Sequence, residues 1–245
     1  MKRKILMIVE YNGTNFYGWQ KQTGRRTVQG ELEEKLFLLT KEKCTVEGSG
    51  RTDKGVHALN QVATVDISSP IPLKNFKQAL NKLLSSDVVV KKVSLCKDDF
   101  HPRFDVKRKT YEYVVDISKT RRAIDYNLIT YYPYNVDIER MKKASSLFIG
   151  KHNFKAFCSA HTNVTNYERE IFDFKISKHD NRIKFLITGS GFLYNMVRII
   201  VGTLLNIEKI GEENILKAFE TGDRSLTGKT MPPNGLYLKK VEYLK

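Results

Sequence analysis

The segment from Gly48 to Ala58 reads GSGRTDKGVHA and is the most informative stretch of this sequence. It places one carboxylate, Asp53, between Arg51 and His57, among glycines at positions 48, 50 and 55. Glycine permits positive φ and lets the backbone approach a partner closely. The pattern therefore predicts a loop that holds an acidic side chain beside a ligand, although a loop of this kind is as often a solvated turn. Arg51 adds a positive charge suited to holding a phosphate or to replacing a base.

Four further segments carry patterns that bear on function. They are YNGTNFYGWQKQ (residues 11–22), FHPRFDVKRKTYEYVV (100–115), GKHNFKAFCSA (150–160) and GSGFLYNMVRIIVGTLL (189–205). In the first, aromatic side chains alternate with amide and basic groups, which suits stacking on exposed RNA bases. We expect Tyr11 and Phe16 to lie in the core, whereas Trp19 fits either role.

The second and fourth segments each contain one residue of interest. Tyr111 lies in a predicted strand and points to the same face as Tyr113; strand tyrosines mostly serve packing. Arg198 lies at the edge of an apolar helical stripe, and we expect it to be largely buried. An arginine near the start of a mostly buried helix usually has an anionic partner. In the third segment, His152 is read as capping or supporting a turn and is not placed in the active site.

These segments, with MPPNGLYLKKVEY at 231–243, closely resemble the tRNA pseudouridine synthase A (TruA) family over nearly the whole chain. The resemblance implies that Asp53 is the essential catalytic residue and that Arg198 is its counter-ion. It also implies that Tyr111 stacks on the target base, and we expect Arg51 to fill the space that a flipped base leaves. Two departures from the family pattern stand out: Lys54 replaces a small residue after the aspartate, and Met231 stands where an Ala-Pro type of sequence is common.

The implied activity is the isomerisation of uridine to pseudouridine in the anticodon stem-loop of tRNA, at nucleotides 38–40. The implied enzyme is a cytoplasmic homodimer that needs no metal and no cofactor. A sequence without metal-ligand spacing, a P-loop or a dinucleotide fingerprint agrees with such chemistry. Whether Asp53 attacks the sugar, attacks the base or removes a sugar proton stays open at this point.

Charge and composition favour a polyanionic partner. The 245 residues include 42 Lys and Arg against 27 Asp and Glu, a net charge of +15. A protein of this charge attracts nucleic acid first and anionic membrane second. Because the basic clusters are spread along the chain, they predict a basic face on a folded body rather than a disordered arm. No apolar run reaches the ~18 residues of a membrane span, and the N-terminal run is read as a first strand rather than a signal peptide.

The three cysteines, at positions 44, 96 and 158, are widely spaced and odd in number. That arrangement argues against a disulfide framework and against a zinc site. A reducing cytoplasm fits this cysteine content.

The order of predicted elements indicates an α+β fold of two halves, each with an antiparallel sheet backed by helices. Residues 1–105 form the first half and carry the Asp53 loop, and residues 106–245 form the second. The resemblance implies two ferredoxin-like (RRM-like) halves with a basic catalytic cleft between them. Strands are predicted at 4–11, 60–67, 88–95, 110–116, 171–177, 183–190 and 236–243, and helices at 27–40, 73–84, 138–148, 194–207 and 212–221. The strand at 60–67 alternates and is expected to be half-buried.

Two other functions fit part of the sequence. A non-catalytic RNA-binding protein would explain the charge and the aromatic residues, but it gives Asp53 and Arg198 no task, and the RNP-type aromatic motif is absent. A metal-dependent nuclease needs several converging acidic ligands, and Asp53 has only Glu47 and His57 nearby in the sequence.

Overall fold

The structure is a computed structural model that describes residues 2–160 and 164–243. The chain divides into two compact units: residues up to Lys107 together with the strand that starts near Tyr237 form the first, and Arg108–Leu236 form the second. These units differ from the predicted halves 1–105 and 106–245 at the C-terminus. The reason is that the last strand pairs in parallel with a strand of the first unit, at Tyr237 with His57 and Leu238 with Ala58.

Both units mix helices with sheets whose strands are mostly antiparallel. The first unit contains β1 (Arg3–Tyr11), α1 (Val28–Thr40), β2 (Glu47–Gly48), β3 (His57–Ile67), α2 (Leu73–Leu83) and β4 (Val88–Leu95). The second is built from β5 (Val106–Asp116), β6 (Thr130–Tyr131), α3 (Ile138–Ser145), β7 (Gly150–Asn153), β8 (Glu168–His179), β9 (Arg182–Gly189), α4 (Met196–Leu205), α5 (Ile207–Ile210) and α6 (Glu212–Thr221). The last strand, β10 (Leu236–Tyr243), returns to the first unit.

The sheet of the first unit has β1 between β4 and β3, with β2 and β10 pairing with β3. Ile5 of β1 lies opposite Val65 of β3 on one side and Leu95 of β4 on the other. Helix α1 begins where the Thr27 side chain accepts a hydrogen bond from the Gly30 N–H, which satisfies one of the free donors at the helix start.

The sheet of the second unit runs β5-β9-β8-β7 with antiparallel pairs, and β6 pairs in parallel with β5. Strands β8 and β9 form the predicted hairpin, whose turn holds Asp180 at φ 52°. Helix α4 is buried along the apolar stripe that the sequence indicates. Its buried members include Met196, Val197, Ile200, Val201 and Leu204.

The structure changes three sequence expectations. The alternating strand β3 is not half-buried, because Val62 and Thr64 on its second face are only 3 % and 1 % exposed. Helix α3 ends at Ser145 and continues as a short 3-10 turn to Phe148. Helix α4 begins at Met196 rather than Tyr194, because Asn195 at its N-cap has the left-handed φ of 61°.

Among the described residues, the three cysteines form no disulfide. None of the helices in residues 2–160 and 164–243 combines the length and the apolar character that crossing a membrane requires.

Candidate active site

Asp53 lies in the loop between β2 and β3, and its side chain is half-exposed. The loop closes as a tight turn in which the Val56 N–H donates to the Asp53 carbonyl at 3.1 Å. Gly55, inside that turn, has φ 79°, a conformation that favours glycine. The sequence-based expectation of a positive-φ glycine beside the aspartate is therefore met at Gly55.

The segment from Tyr11 to Trp19 fixes this loop through backbone contacts. The Trp19 N–H donates to the Thr52 carbonyl at 3.0 Å, and the Gly55 N–H donates to the Phe16 carbonyl at 3.3 Å. The hydroxyls of Tyr11 and Thr52 lie 2.8 Å apart in the interior. Thr52 on one side of Asp53 and Gly55 on the other side are thus each held by a main-chain hydrogen bond, so the carboxylate extends from a fixed main chain.

Two glycines make that close approach possible. A Cβ at Gly13 would lie 2.0 Å from the Val56 carbonyl oxygen, and one at Gly18 would lie 2.4 Å from the Thr52 carbonyl oxygen. Gly18 also has φ 85°. Since carbon and oxygen atoms do not approach to these distances without a bond, only glycine fits at either position.

His57 has a supporting role in the same loop. Its Nδ1 accepts a hydrogen bond from the Gly13 N–H at 3.0 Å, and its ring stacks on Tyr237 with 4.7 Å between ring centres. The side chain is 1 % exposed. An imidazole that accepts at Nδ1 carries its proton on Nε2 when neutral, so these contacts define the tautomer.

Arg51 is exposed, and its Nε donates to the side-chain carbonyl of Gln20 at 3.1 Å. Gln20 in turn donates to Gln29 at 2.8 Å. The guanidinium therefore lies at the solvent side of the loop. Within residues 2–160 and 164–243 it donates from one nitrogen only, which leaves it accessible to a substrate.

The aromatic residues of the first segment divide by burial. Tyr11 and Phe16 lie in the core as predicted, and Trp19 joins them at 2 % exposure. The Trp19 ring fills the space beside Gly48, where an added Cβ would lie 2.5 Å from it. Tyr17, by contrast, is 37 % exposed. Sequence reasoning did not single out Tyr17, and the available signal was its position among polar and basic residues.

Tyr111 of the second unit lies on β5 opposite Ile187 of β9. Its ring packs edge-on against Phe192 at 5.0 Å between centres, and the side chain is half-exposed. Tyr113, two residues further, is fully buried, and its hydroxyl donates to the Pro232 carbonyl at 2.6 Å. Burial raises the pKa of Tyr113. The two tyrosines thus differ in availability, and only Tyr111 offers a ring surface for stacking.

Arg198 lies in the first turn of α4 and is half-buried rather than largely buried. Its Nε donates to the Met231 carbonyl at 2.6 Å, and its Nη1 donates to the side-chain carbonyl of Asn195 at 2.5 Å. The Met231 N–H donates back to the Arg198 carbonyl at 3.2 Å. These bonds orient the guanidinium. The pairing of Arg198 with Asp53 remains a prediction.

The described residues contain no group of three His, Cys, Asp or Glu side chains arranged to hold a metal ion. His152, which the sequence analysis left outside the active site, stacks on Phe219 at 4.5 Å between ring centres. Its Nε2 lies 3.0 Å from the Ile149 carbonyl oxygen, so it supports the turn before β7.

Comparisons with known proteins point to one family. A model of the tRNA pseudouridine synthase family matches residues 7–105 and 144–244. A tRNA pseudouridine synthase A of Caldicellulosiruptor bescii is 43 % identical over 243 residues, 98 % of this chain and 100 % of the relative. Another, of a Geobacillus species, is 45 % identical over 246 residues, 99 % of each chain.

Among solved structures, a crystal structure of a Cbf5-Nop10-Gar1 complex covers 95 % of this chain and 57 % of that chain. The TM-score is 0.41 and the sequence identity 9 %, a likeness too distant to carry an argument about activity.

Proposed function

Because the chain belongs to the tRNA pseudouridine synthase family, we propose that it converts uridines 38–40 of the tRNA anticodon stem-loop into pseudouridine, with Asp53 as the catalytic group. The chain is a pseudouridine synthase that acts on tRNA. The observation that carries the assignment of Asp53 is its loop, whose backbone is fixed on both sides of the carboxylate by peptide groups of residues 13–19.

The reaction needs access to a base that is stacked in the anticodon stem, so the target nucleotide has to leave the stack. Arg51 suits the vacated space, because its guanidinium is exposed, planar and held at one nitrogen. Tyr111 suits the flipped base, because its ring is half-exposed and kept in place by Phe192.

The chemistry breaks the N1–C1′ bond, turns the base over and forms a C5–C1′ bond, while the proton on C5 leaves and N1 gains one. Asp53 acts in its ionised form, either as a nucleophile or as a base that removes a sugar proton. A cation beside it favours the ionised form. We assign that task to Arg198, whose orientation is set by Met231 and Asn195.

The proposal extends to the fold. The strand order β4-β1-β3-β2 of the first unit, in the sequence β1-α1-β2-β3-α2-β4, supports a ferredoxin-like half. The β8–β9 hairpin with α3 and α4 supports a second half of the same type, and we place the substrate in a basic catalytic cleft between the halves. We further propose a cytoplasmic homodimer that uses no metal or other cofactor; light scattering of the pure protein measures its oligomeric state.

The decisive experiment is chemical mapping of pseudouridine in tRNA after incubation with the pure protein, with EDTA and without added cofactor. We expect pseudouridine at positions 38–40 with the wild-type protein and none with Asp53→Asn, while tRNA affinity stays within about a few-fold because the carboxamide keeps the shape. Asp66→Asn makes the same change at an exposed site at the end of β3 and should retain full activity.

Each alternative outcome has a clear meaning. Turnover retained by Asp53→Asn contradicts the assigned chemistry. Tight tRNA binding without any pseudouridine from the wild-type protein supports the RNA-binding alternative. Cleaved tRNA that EDTA abolishes supports the nuclease alternative.

The same assay tests Arg198. Arg198→Met keeps the apolar stem and removes the charge, and we expect a loss of about 10²-fold or more, the scale of one preorganised electrostatic partner. Arg198→Lys should restore part of the rate, because it returns the charge without the planar fork. Equal rates for Met and Lys would mean that the charge of Arg198 does not act on Asp53.

A further inference from the structure

One exposed cluster lies directly beside the Asp53 loop and has no task in the reaction described above. It consists of Tyr17, Arg25 and Lys54. The Lys54 Nζ lies 4.2 Å from the centre of the Tyr17 ring, and the Arg25 Cζ lies 4.5 Å from the same centre. The Arg25 Nη1 also donates a hydrogen bond to the Tyr17 hydroxyl at 3.2 Å. Two cationic side chains and a phenol hydroxyl thus lie together at one place on the surface.

The cluster is fixed by the backbone. The Tyr17 N–H donates to the Arg26 carbonyl at 2.8 Å, which joins its segment to the turn from Gln22 to Arg25. On the other side, Gly18 is in close contact with the Thr52 carbonyl, two residues before Lys54. Because Lys54 follows Asp53 directly in the chain, the cluster is anchored one residue away from the proposed catalytic aspartate.

Within the part of the chain that the structure describes, neither Arg25 nor Lys54 forms an ion pair with a carboxylate. Cations so close to one ring repel each other, and each gains only about 0.5–1 kcal/mol from an exposed aromatic face. Lys54, and to a smaller extent Arg25, lower the pKa of the Tyr17 hydroxyl. This shift shows that the positive charge of both side chains acts at the hydroxyl.

The neighbouring groove along α1 differs in this respect. It has a volume of about 540 Å³, and Arg25 is part of its lining. Three of its other cations are neutralised: Lys21 pairs with Glu33 at 2.8 Å, Arg26 with Asp87 at 2.7 Å, and Lys35 with Glu34 at 2.6 Å. An anion at this face of the unit is therefore drawn to the cluster and not to the rest of the groove.

We propose that Tyr17, Arg25 and Lys54 form a binding site for one phosphodiester of the RNA, adjacent to the nucleotide that Asp53 acts on. This inference rests on the proposed function. A phosphate at the Tyr17 hydroxyl would be attracted by both cations, which offsets their mutual repulsion. Arginine, lysine and tyrosine side chains are all common phosphate ligands, and the Tyr17 hydroxyl supplies a third donor. The site carries no base specificity; it sets the register of the backbone beside the catalytic loop.

The first test measures tRNA affinity between 50 and 200 mM salt. We expect Lys54→Ala to weaken binding about tenfold at low salt and to reduce the slope of log K against log salt by about one. Lys54→Arg should restore both quantities. The matched control is Lys74→Ala, which removes an exposed lysine of α2 in the same unit and should change neither. Equal affinity and slope for Lys54→Ala and Lys74→Ala would overturn the proposal.

A double-mutant cycle tests whether the cations share one phosphate. If they do, Lys54→Ala combined with Arg25→Ala costs less than the product of the two single losses, because the second change acts on a contact already weakened. Losses that multiply independently would mean two separate contacts. Thermal unfolding of each variant identifies any loss that comes from misfolding.

A second test locates the phosphate. Anticodon stem-loop RNAs are prepared with one neutral methylphosphonate at a time on either side of the target uridine. We expect one such RNA to bind the wild-type protein about tenfold more weakly and to bind the Lys54→Ala, Arg25→Ala double variant no more weakly than the unmodified RNA does. An equal loss with both proteins at every position overturns the proposal. Since these readouts are affinities, they are independent of pseudouridine formation, whose absence would contradict the proposed function instead.

Discussion

The Asp53 loop of the first unit and the phenylalanine cluster of the second unit are both held in place, but by opposite means. The loop is fixed by peptide groups that approach Gly13 and Gly18 closely. The cluster is fixed by aromatic side chains around Phe219, with ring centres 5.1–5.6 Å from those of its phenylalanine neighbours. These neighbours are Phe148, Phe154 and Phe157.

The difference follows from what each region does. A loop that presents a carboxylate to a substrate has to keep its side chains available, so it is anchored through the main chain and depends on the absence of side chains at its glycines. A cluster that only fills space uses large rings, which bury much apolar area each. The loop should therefore be sensitive to one added methyl group, and the cluster to one removed ring.

The largest effect is expected from Gly13→Ala. Its Cβ would lie 2.0 Å from the Val56 carbonyl oxygen, a backbone atom that cannot move without displacing the loop. We expect pseudouridine formation to fall by at least about 10²-fold, since small misplacements of a catalytic group have effects of that size. The unfolding free energy should fall by about 5 kcal/mol, the upper end for single substitutions.

The control for this change is Gly211→Ala in the second unit. No atom lies within 4 Å of the added methyl group there, and only the backbone conformation, with φ 76°, is penalised. We expect a loss of stability of about 1–3 kcal/mol and unchanged turnover per folded molecule. If Gly13→Ala behaved like Gly211→Ala in both the activity assay and urea unfolding, backbone contact would not be what fixes the loop.

The sequence predicted most of the longer helices and strands. The limits of β4, α6 and β10 agree with the structure, because each has a clear period and turn residues at its ends. The two-residue strands β2 and β6 were missed, since a pattern needs more residues to be visible. By its position in the sequence, β10 is predicted to belong to the second half. In the structure it belongs to the first compact unit, where it pairs with β3, and this long-range pairing is not visible in the sequence.

At the site, the sequence identified the loop but not what holds it. Trp19 is surrounded by amide and basic residues, and sequence alone does not separate a buried ring from a stacking platform. Its burial follows from the fit against Gly48. Tyr17, Arg25 and Lys54 are up to 37 positions apart in numbering, so their meeting depends on the tertiary structure. Lys54 was noticed only as a departure from a family pattern.

A smaller effect, confined to stability, is expected from Phe148→Ala. The side chain is fully buried and touches the rings of Phe157, Phe174 and Phe219. We expect a loss of about 3–5 kcal/mol in urea unfolding. Turnover per folded molecule should stay unchanged, because Tyr111 packs on Phe192, which is not part of the cluster.

Phe148→Leu is the graded variant for this position. It keeps most of the apolar volume and should lose clearly less stability than the alanine variant. A loss of turnover per folded molecule in either variant would contradict the division between a loop that serves catalysis and a cluster that serves stability.

The smallest effect is expected from a half-exposed ion pair that joins α3 to α6. Arg140 binds both carboxylate oxygens of Glu212, at 3.0 and 2.7 Å, and this bond lowers the pKa of Glu212 to about 2. Because the pair is largely solvated, Glu212→Gln should cost less than about 1 kcal/mol at pH 7.

The sign of the pH dependence follows from the lowered pKa of Glu212. A carboxyl that ionises more readily when folded stabilises the protein above its unfolded pKa of about 4.3. That contribution is lost as the pH falls towards 2, so the stability difference between wild type and Glu212→Gln should shrink between pH 5 and pH 2. Glu213→Gln removes the same charge from the same helix turn and controls for the helix dipole. Urea midpoints at pH 7, 4 and 3 measure both variants. If the two variants had the same pH profile, the contact with Arg140 would add nothing to the stability of the folded protein.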